Sequence, residues 1–149
     1  MTRRDWLLLL IAHDASERGL EPVRVQKALF LLAQEGDIPP EEQYQFVAYN
    51  YGPMSVRVYR DVSALVHAGL AEHVPVPGYT WQPVRATAAG RRQAAALLAE
   101  ASPADHLAIA RLHAIHHLVT ALGFAELLEA IYRRYPEFAS RSVFRRRRR

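Results

Sequence analysis

Apolar positions recur at helical spacing along most of this chain, and glycines and prolines mark where the spacing stops. "RRDWLLLLIAHDASERG" reads as a first helix over roughly residues 4–18, closed by Gly19 as a C-cap. Pro22 suits the first turn of a second helix, in which Val25, Ala28, Leu29 and Leu32 share one face until Gly36. Val23 and Phe30 fall on another side, so this helix is expected to be covered on more than one face. "DIPPEEQ" reads as a loop, and "YQFVAYN" alternates as a short strand or extended segment.

Tyr51-Gly52-Pro53 is expected to be a turn, followed by a third helix from Met54 to Gly69. Counting helical angles from Ser55 puts Val58, Val62, Leu65, Val66 and Gly69 on one face. Arg57, Arg60, Ala64 and His67 fall on the opposite face, with Asp61 partly outward. "LAEHVPV", "PGYT" and "WQPVRAT" read as strand, turn and strand. Thr87 is a suitable N-cap for a fourth helix that gives out at Ser102-Pro103. Two further helices, about 104–122 and 125–135, divide near Gly123 and stop at Pro136.

The expected class is mainly α with a small β-hairpin. Helix, helix, extended segment, helix, hairpin, helix is the winged helix-turn-helix order. The phrase running from Gly69-Leu70 to Thr87 and Gly90 resembles one common in winged-helix regulators, with a helix end, a two-stranded wing and a capped helix start. The reading is one domain over residues 1–144: a winged-helix-like core of about 4–100 and a helical extension of about 104–138. Residues 145–149 form a poly-arginine tail.

Composition narrows the picture. There are no cysteines, which excludes disulfides and thiolate chemistry and fits a cytoplasmic protein. The longest apolar run, Trp6 to Ala12, falls far short of the ~20 residues a membrane span needs. Arg145, Arg146, Arg147, Arg148 and Arg149 account for more than the whole formal charge of +4, so residues 1–144 net −1. Residues 55–92, with five basic and two acidic groups, are the positive part of the body. A nucleic-acid argument from charge therefore applies to that segment and to the tail.

If the third helix reads DNA, Ser55, Arg57 and Arg60 occupy its first turns and His67 lies deeper, while the tail arginines contact backbone phosphates. The alternative is a solvated helix face. Against DNA, the wing "PVPGYTWQP" carries no cation for a phosphate. Tyr79 and Trp81 at its tip suit a protein contact, or packing of Trp81 back onto the core. His106, His113 and His117 lie along one stripe of the fifth helix, read as a polar or interface face rather than a metal site. There is no phosphate-binding glycine loop and no nucleophile elbow, so no enzyme and no cofactor is expected.

"VQKALFLLAQEG" together with "FVAYNYGPMSVRVYRDVSALVHAGL" resembles the Panacea family, the SocA-like antitoxin domain. The matching residues are Gln26, Lys27, Leu29, Phe30, Leu31, Tyr49, Tyr51, Gly52, Pro53 and Tyr59. Phe30 stands where a tyrosine is frequent, and Ala28 interrupts the usual leucine pair. The resemblance implies a non-enzymatic antitoxin or adaptor that binds a protein partner such as a toxin encoded nearby, with DNA-linked autoregulation. Tyr49, Tyr51, Pro53 and Tyr59, with Tyr79 and Trp81, are its candidate fold or contact residues. The competing reading is a winged helix-turn-helix transcription regulator binding double-stranded DNA, dimeric through the last two helices.

Overall fold

The computed structural model of the protein describes residues 1–144; Arg145 to Arg149, assigned above to phosphate contacts, lie outside the described residues. Among the described residues there are six α-helices: α1 (Arg3–His13), α2 (Pro22–Glu35), α3 (Val56–His67), α4 (Ala88–Glu100), α5 (Pro103–Ala121) and α6 (Phe124–Arg134). Two small antiparallel hairpins complete the fold, β1 (Val47–Tyr49) with β2 (Gly52–Met54), and β3 (Ala71–His73) with β4 (Val84–Ala86). The class is therefore mainly α, with very short strands.

The helix starts are set by local chemistry. Thr2 and Asp5 form a reciprocal capping box on α1, and Ser102 and Asp105 form another on α5. Thr87 caps α4 by accepting from the Gly90 amide at 3.1 Å. At the far end of α3, Gly69 adopts φ +74° while its amide and that of Leu70 return to the carbonyls of Val66 and Leu65. This is a Schellman closure. The last carbonyls of α5 are taken by Arg24, which donates from Nη1 to Val119 and, at 2.8 Å, to Leu122.

Two glycines mark close approaches. A Cβ at Gly90 would stand 1.9 Å from the Leu70 carbonyl oxygen, so the start of α4 rests directly on the end of α3. One at Gly19 would stand 2.8 Å from the Val84 carbonyl oxygen. That approach lets Leu20 exchange both backbone hydrogen bonds with Val84, at 2.8 and 3.0 Å, tying the α1–α2 connection to the second hairpin. Gly19 is thus not the C-cap of α1. The helix ends at His13, and the Asp14 carboxylate then accepts from the Ser16 amide at 2.8 Å.

The core centres on α1 and α2. Trp6 to Ile11 of α1 and Val25 to Leu32 of α2 are buried without interruption, as expected for helices covered on several sides. α5 lies along α2, α4 lies along α1, and α3 and β4 also meet α1. Burying apolar surface at about 25 cal/mol per Å² makes these contacts the main stabilising term.

Three expectations from the chain pattern are corrected. Tyr51 to Pro53 do not lead straight into a helix: Asn50 and Tyr51 form the turn, Gly52–Met54 is a strand, and α3 begins at Val56. The "DIPPEEQ" loop contains a single 3₁₀ turn, Pro40–Glu42. Asp61 faces inward, accepting from the Tyr44 hydroxyl at 2.6 Å and from Arg4 at 3.4 Å.

Gly90→Ala is expected to cost about 3 kcal/mol, because the neighbour it strikes is backbone and has no rotamer to yield. Urea denaturation of the purified variant checks this; a midpoint within error of the parent would show that α4 shifts freely.

Candidate recognition surface

α2 has only two polar residues in its buried stretch, Gln26 and Lys27, and both are used on the first hairpin. The Gln26 side-chain amide donates to the Ser55 carbonyl and accepts from the Ser55 amide, each at 2.9 Å. Lys27 donates from Nζ to the Pro53 carbonyl at 3.1 Å. These bonds pair backbone groups at the junction of the hairpin and α3. Pro53 pairs with Ala48, and Ser55 stands between β2 and α3.

Lys27 is the single lysine of the chain, and it is 3% exposed. Burial alone pulls its ammonium down to about 8 from the ordinary 10.5. No carboxylate bonds it among the described residues, so a carbonyl carries the whole interaction. Gly52 supplies the φ of +87° that the hairpin needs, and an added Cβ would touch Tyr132, Leu128 and the Lys27 stem at 3.4 to 3.6 Å.

The far side of the hairpin is held by the end of the described chain. Val143 donates its amide to the Asn50 carbonyl at 2.9 Å, and the Tyr132 hydroxyl meets Ser142 Oγ at 2.6 Å. Phe124 packs edge-on against Tyr51 and against Phe144. The turn is therefore clamped between α2 and residues 142–144.

What this frame presents is apolar and aromatic. Tyr49, Tyr51 and Tyr59 are each 48% exposed, Val47 is 60% exposed and Val56 53%. Val47 pairs with Met54 across the strands, so both share the outward face with Tyr49. Val56 then opens α3 two residues later. The sequence reading found the tyrosines but missed Val47, Met54 and Val56. The alternation "Val-x-Tyr" was the one available signal.

The remaining candidates separate. Ser55, expected to contact DNA, is 4% exposed and enclosed by Gln26, so it cannot reach a groove. Pro53, expected among the contact residues, is also buried and contributes only its carbonyl to Lys27. Arg57, Arg60 and His67 are exposed on α3. Tyr79 and Trp81 are exposed in the connection between β3 and β4 with ring centroids 4.9 Å apart, so Trp81 does not return to the core. It forms part of one wall of an open cleft of about 790 Å³ between the β3–β4 connection, the α1–α2 connection and α5.

No protein-family model and no curated protein matches this chain. The geometry above therefore stands on its own residues.

The histidine stripe is also divided. His106 and His117 are exposed, but His113 turns to α1 and stacks on His13 at 3.8 Å, nearly parallel. His116 meets His13 edge-on at 4.9 Å and places Nε2 3.5 Å from Asp14. His13 and His116 escaped notice in the sequence because their contact joins residues about a hundred positions apart. Burial, reinforced by neighbouring imidazoles, lowers the pKa of both His13 and His113; for His13, Asp14 opposes the shift. Among the described residues no group of histidine and carboxylate side chains is placed to hold a metal ion.

Two pH dependences follow from these shifts. Between about pH 8 and 10.5 the unfolded chain holds the Lys27 proton that the folded chain has released, so stability rises with pH across that window. Lys27→Met should lack this rise in urea titrations run alongside the parent, and identical slopes would contradict it. At the acid end, the unfolded chain binds protons first at His13 and His113, so stability falls as pH drops below about 6.5. His113→Gln should flatten that fall, as read by unfolding at pH 7 and pH 5; an unchanged fall would assign it to other groups.

Proposed function

We propose that this protein is a non-enzymatic protein-binding module of the Panacea, SocA-like antitoxin type, acting in the cytoplasm on a partner protein. The observation that carries the reading is how the quoted motif divides in space. Gln26, Lys27, Gly52 and Pro53 are buried and fix the hairpin, while Tyr49 and Tyr51 are half exposed on it and Tyr59 is half exposed on α3. Burying a lysine without a counter-ion is costly, and here it serves only to hold an aromatic turn in place. Tyrosines on rigid backbone are efficient anchors for protein interfaces, since they add contact area at small entropic cost.

A winged-helix architecture is part of this reading. It is supported by the hairpin that follows α3 and by the Leu20–Val84 bridge, which adds an extended segment to that hairpin's edge. A second reading, a DNA-binding regulator, is favoured by one observation: Arg57, Arg60 and His67 share the exposed side of α3. Against it, Val56 and Tyr59 lie among them, and the exposed wing tip has no cation. The two activities are compatible, because an antitoxin can repress its own operon.

The test is co-expression with the product of the adjacent gene. The expected result is co-purification, and relief of any growth arrest, both lost with Tyr49→Ala plus Tyr51→Ala in a variant of unchanged melting temperature. A neighbour that is harmless and never co-purifies would count against the antitoxin reading. DNA binding that is lost with Arg57→Ala plus Arg60→Ala, and kept in the tyrosine variant, would favour the regulator.

A further inference from the structure

The partner's chemistry can be read from the charges around the tyrosine surface, an inference that rests on the protein-binding reading above. Residues 43–60 contain no aspartate or glutamate, and neither do residues 138–149. The fold brings residues 138–144 of the second segment against the first, since Val143 is bonded to the Asn50 carbonyl beside Tyr51. Arg57, Arg60 and Arg141 are exposed on them, and none is paired with a carboxylate among the described residues.

Elsewhere Arg4, Arg24, Arg85, Arg111 and Arg134 have carboxylate partners, while Arg18, Arg91, Arg92 and Arg133 are exposed without one among the described residues. Acids are not wholly absent nearby. Glu137 is exposed in the 3₁₀ turn Pro136–Ala139, which packs against β1, and Glu126 is exposed near the start of α6. The first segment also exposes Val47, Tyr49 and Val56, with Met54 partly exposed, beside the uncharged polar Gln45 and Asn50.

We infer that this face docks an acidic segment of a partner protein, one that carries apolar side chains between its carboxylates. The apolar groups would cover Val47, Tyr49 and Val56, and the carboxylates would meet Arg57, Arg60 and Arg141. Arginine suits that role because its guanidinium grips a carboxylate through two parallel hydrogen bonds. The exposed valines disfavour nucleic-acid reading, since a phosphate backbone gains nothing from Val47 or Val56, although the arginines alone would suit it. The arginines disfavour a second copy of this face, which would set the same cations against one another.

The inference is tested by fluorescence anisotropy with the full chain and four probes: a short amphipathic peptide of Glu and Leu, its Lys-and-Leu counterpart, a Glu-only peptide, and a short DNA duplex. A full-length variant with Arg145 to Arg149 all changed to Ser is run in parallel. The expected result is tightest binding to the Glu-and-Leu peptide, retained in the serine variant. Tyr49→Ala should weaken it about tenfold, as for an interface anchor. Arg57→Ala plus Arg60→Ala should weaken it by a similar factor and reduce its salt dependence.

Equal binding of the Lys-and-Leu peptide, still sensitive to Tyr49→Ala, would overturn the acidic partner while leaving protein recognition intact. Equal binding of the Glu-only peptide would overturn the apolar component. A preference for duplex DNA that ignores Tyr49→Ala would overturn the inference in favour of the regulator. Binding lost with the five serines would move the site to residues 145–149. No peptide binding at all would overturn the inference, and protein recognition would then stand or fall on the co-expression experiment.

Discussion

One short exchange of hydrogen bonds sets the geometry of this protein: Gln26 with both backbone groups of Ser55, and Lys27 with the carbonyl of Pro53. Each of these backbone groups lies where regular structure gives out, and each is shielded from water. Left unpaired, a buried group of this kind costs roughly 1 to 3 kcal/mol. The two side chains that answer them are the only polar ones in the buried stretch of α2. A helix otherwise committed to the apolar core thus reaches out at one place and fixes where the hairpin ends and α3 begins.

The consequences run outward from that link. With Ser55 fixed, α3 starts at Val56 and points Val58 and Leu65 inward, leaving Tyr59, Arg57 and Arg60 outside. Asp61 then meets Tyr44 and Arg4, a second polar tie from the same helix to the body of the protein. Burial and the hydrogen bond to Asp61 raise the Tyr44 hydroxyl well above its usual range, so it stays a donor at every ordinary pH. On the other side, Tyr132, Ser142 and Val143 close over the turn. At the opposite end of α2, Glu35 is gripped by Arg134 and by the Tyr135 hydroxyl, whose pKa is pushed up to about 12, chiefly by burial. The hairpin is small, but it is held from two directions, which gives its tyrosines fixed positions rather than a mobile loop to ride on.

How much of this was legible in the sequence depends on the range of the interaction. Helix limits set by neighbours within a turn were readable: Thr87 with Gly90, Gly36 after α2, and Gly69-Leu70 after α3. Where a distant contact overrode a local signal, the reading failed. Gly19 looked like a C-cap, yet its left-handed backbone serves a close approach to Val84, a residue far along the chain. The alternation in "YQFVAYN" marked β1, but a three-residue strand containing Gly52 and Pro53 carries no periodic signal, so β2 was missed.

At the site, the aromatic face was legible because tyrosines in a turn seldom all find cover. Its frame was not. Ser55 was placed by angles counted along a helix that it precedes, and Asp61 lies between the two faces of that helix, so its burial depends on Tyr44 and Arg4 from elsewhere. The resemblance marked Gln26, Lys27 and Pro53 as belonging together, but only the fold gives the reason. The most direct measurement of that reason is amide hydrogen exchange on Gln26→Leu, which keeps the volume and removes the bonds. The account predicts loss of protection at Ser55 and through residues 47–56, with the amides of α1, α4 and α5 unchanged. Protection at Ser55 equal to that of the parent would contradict it.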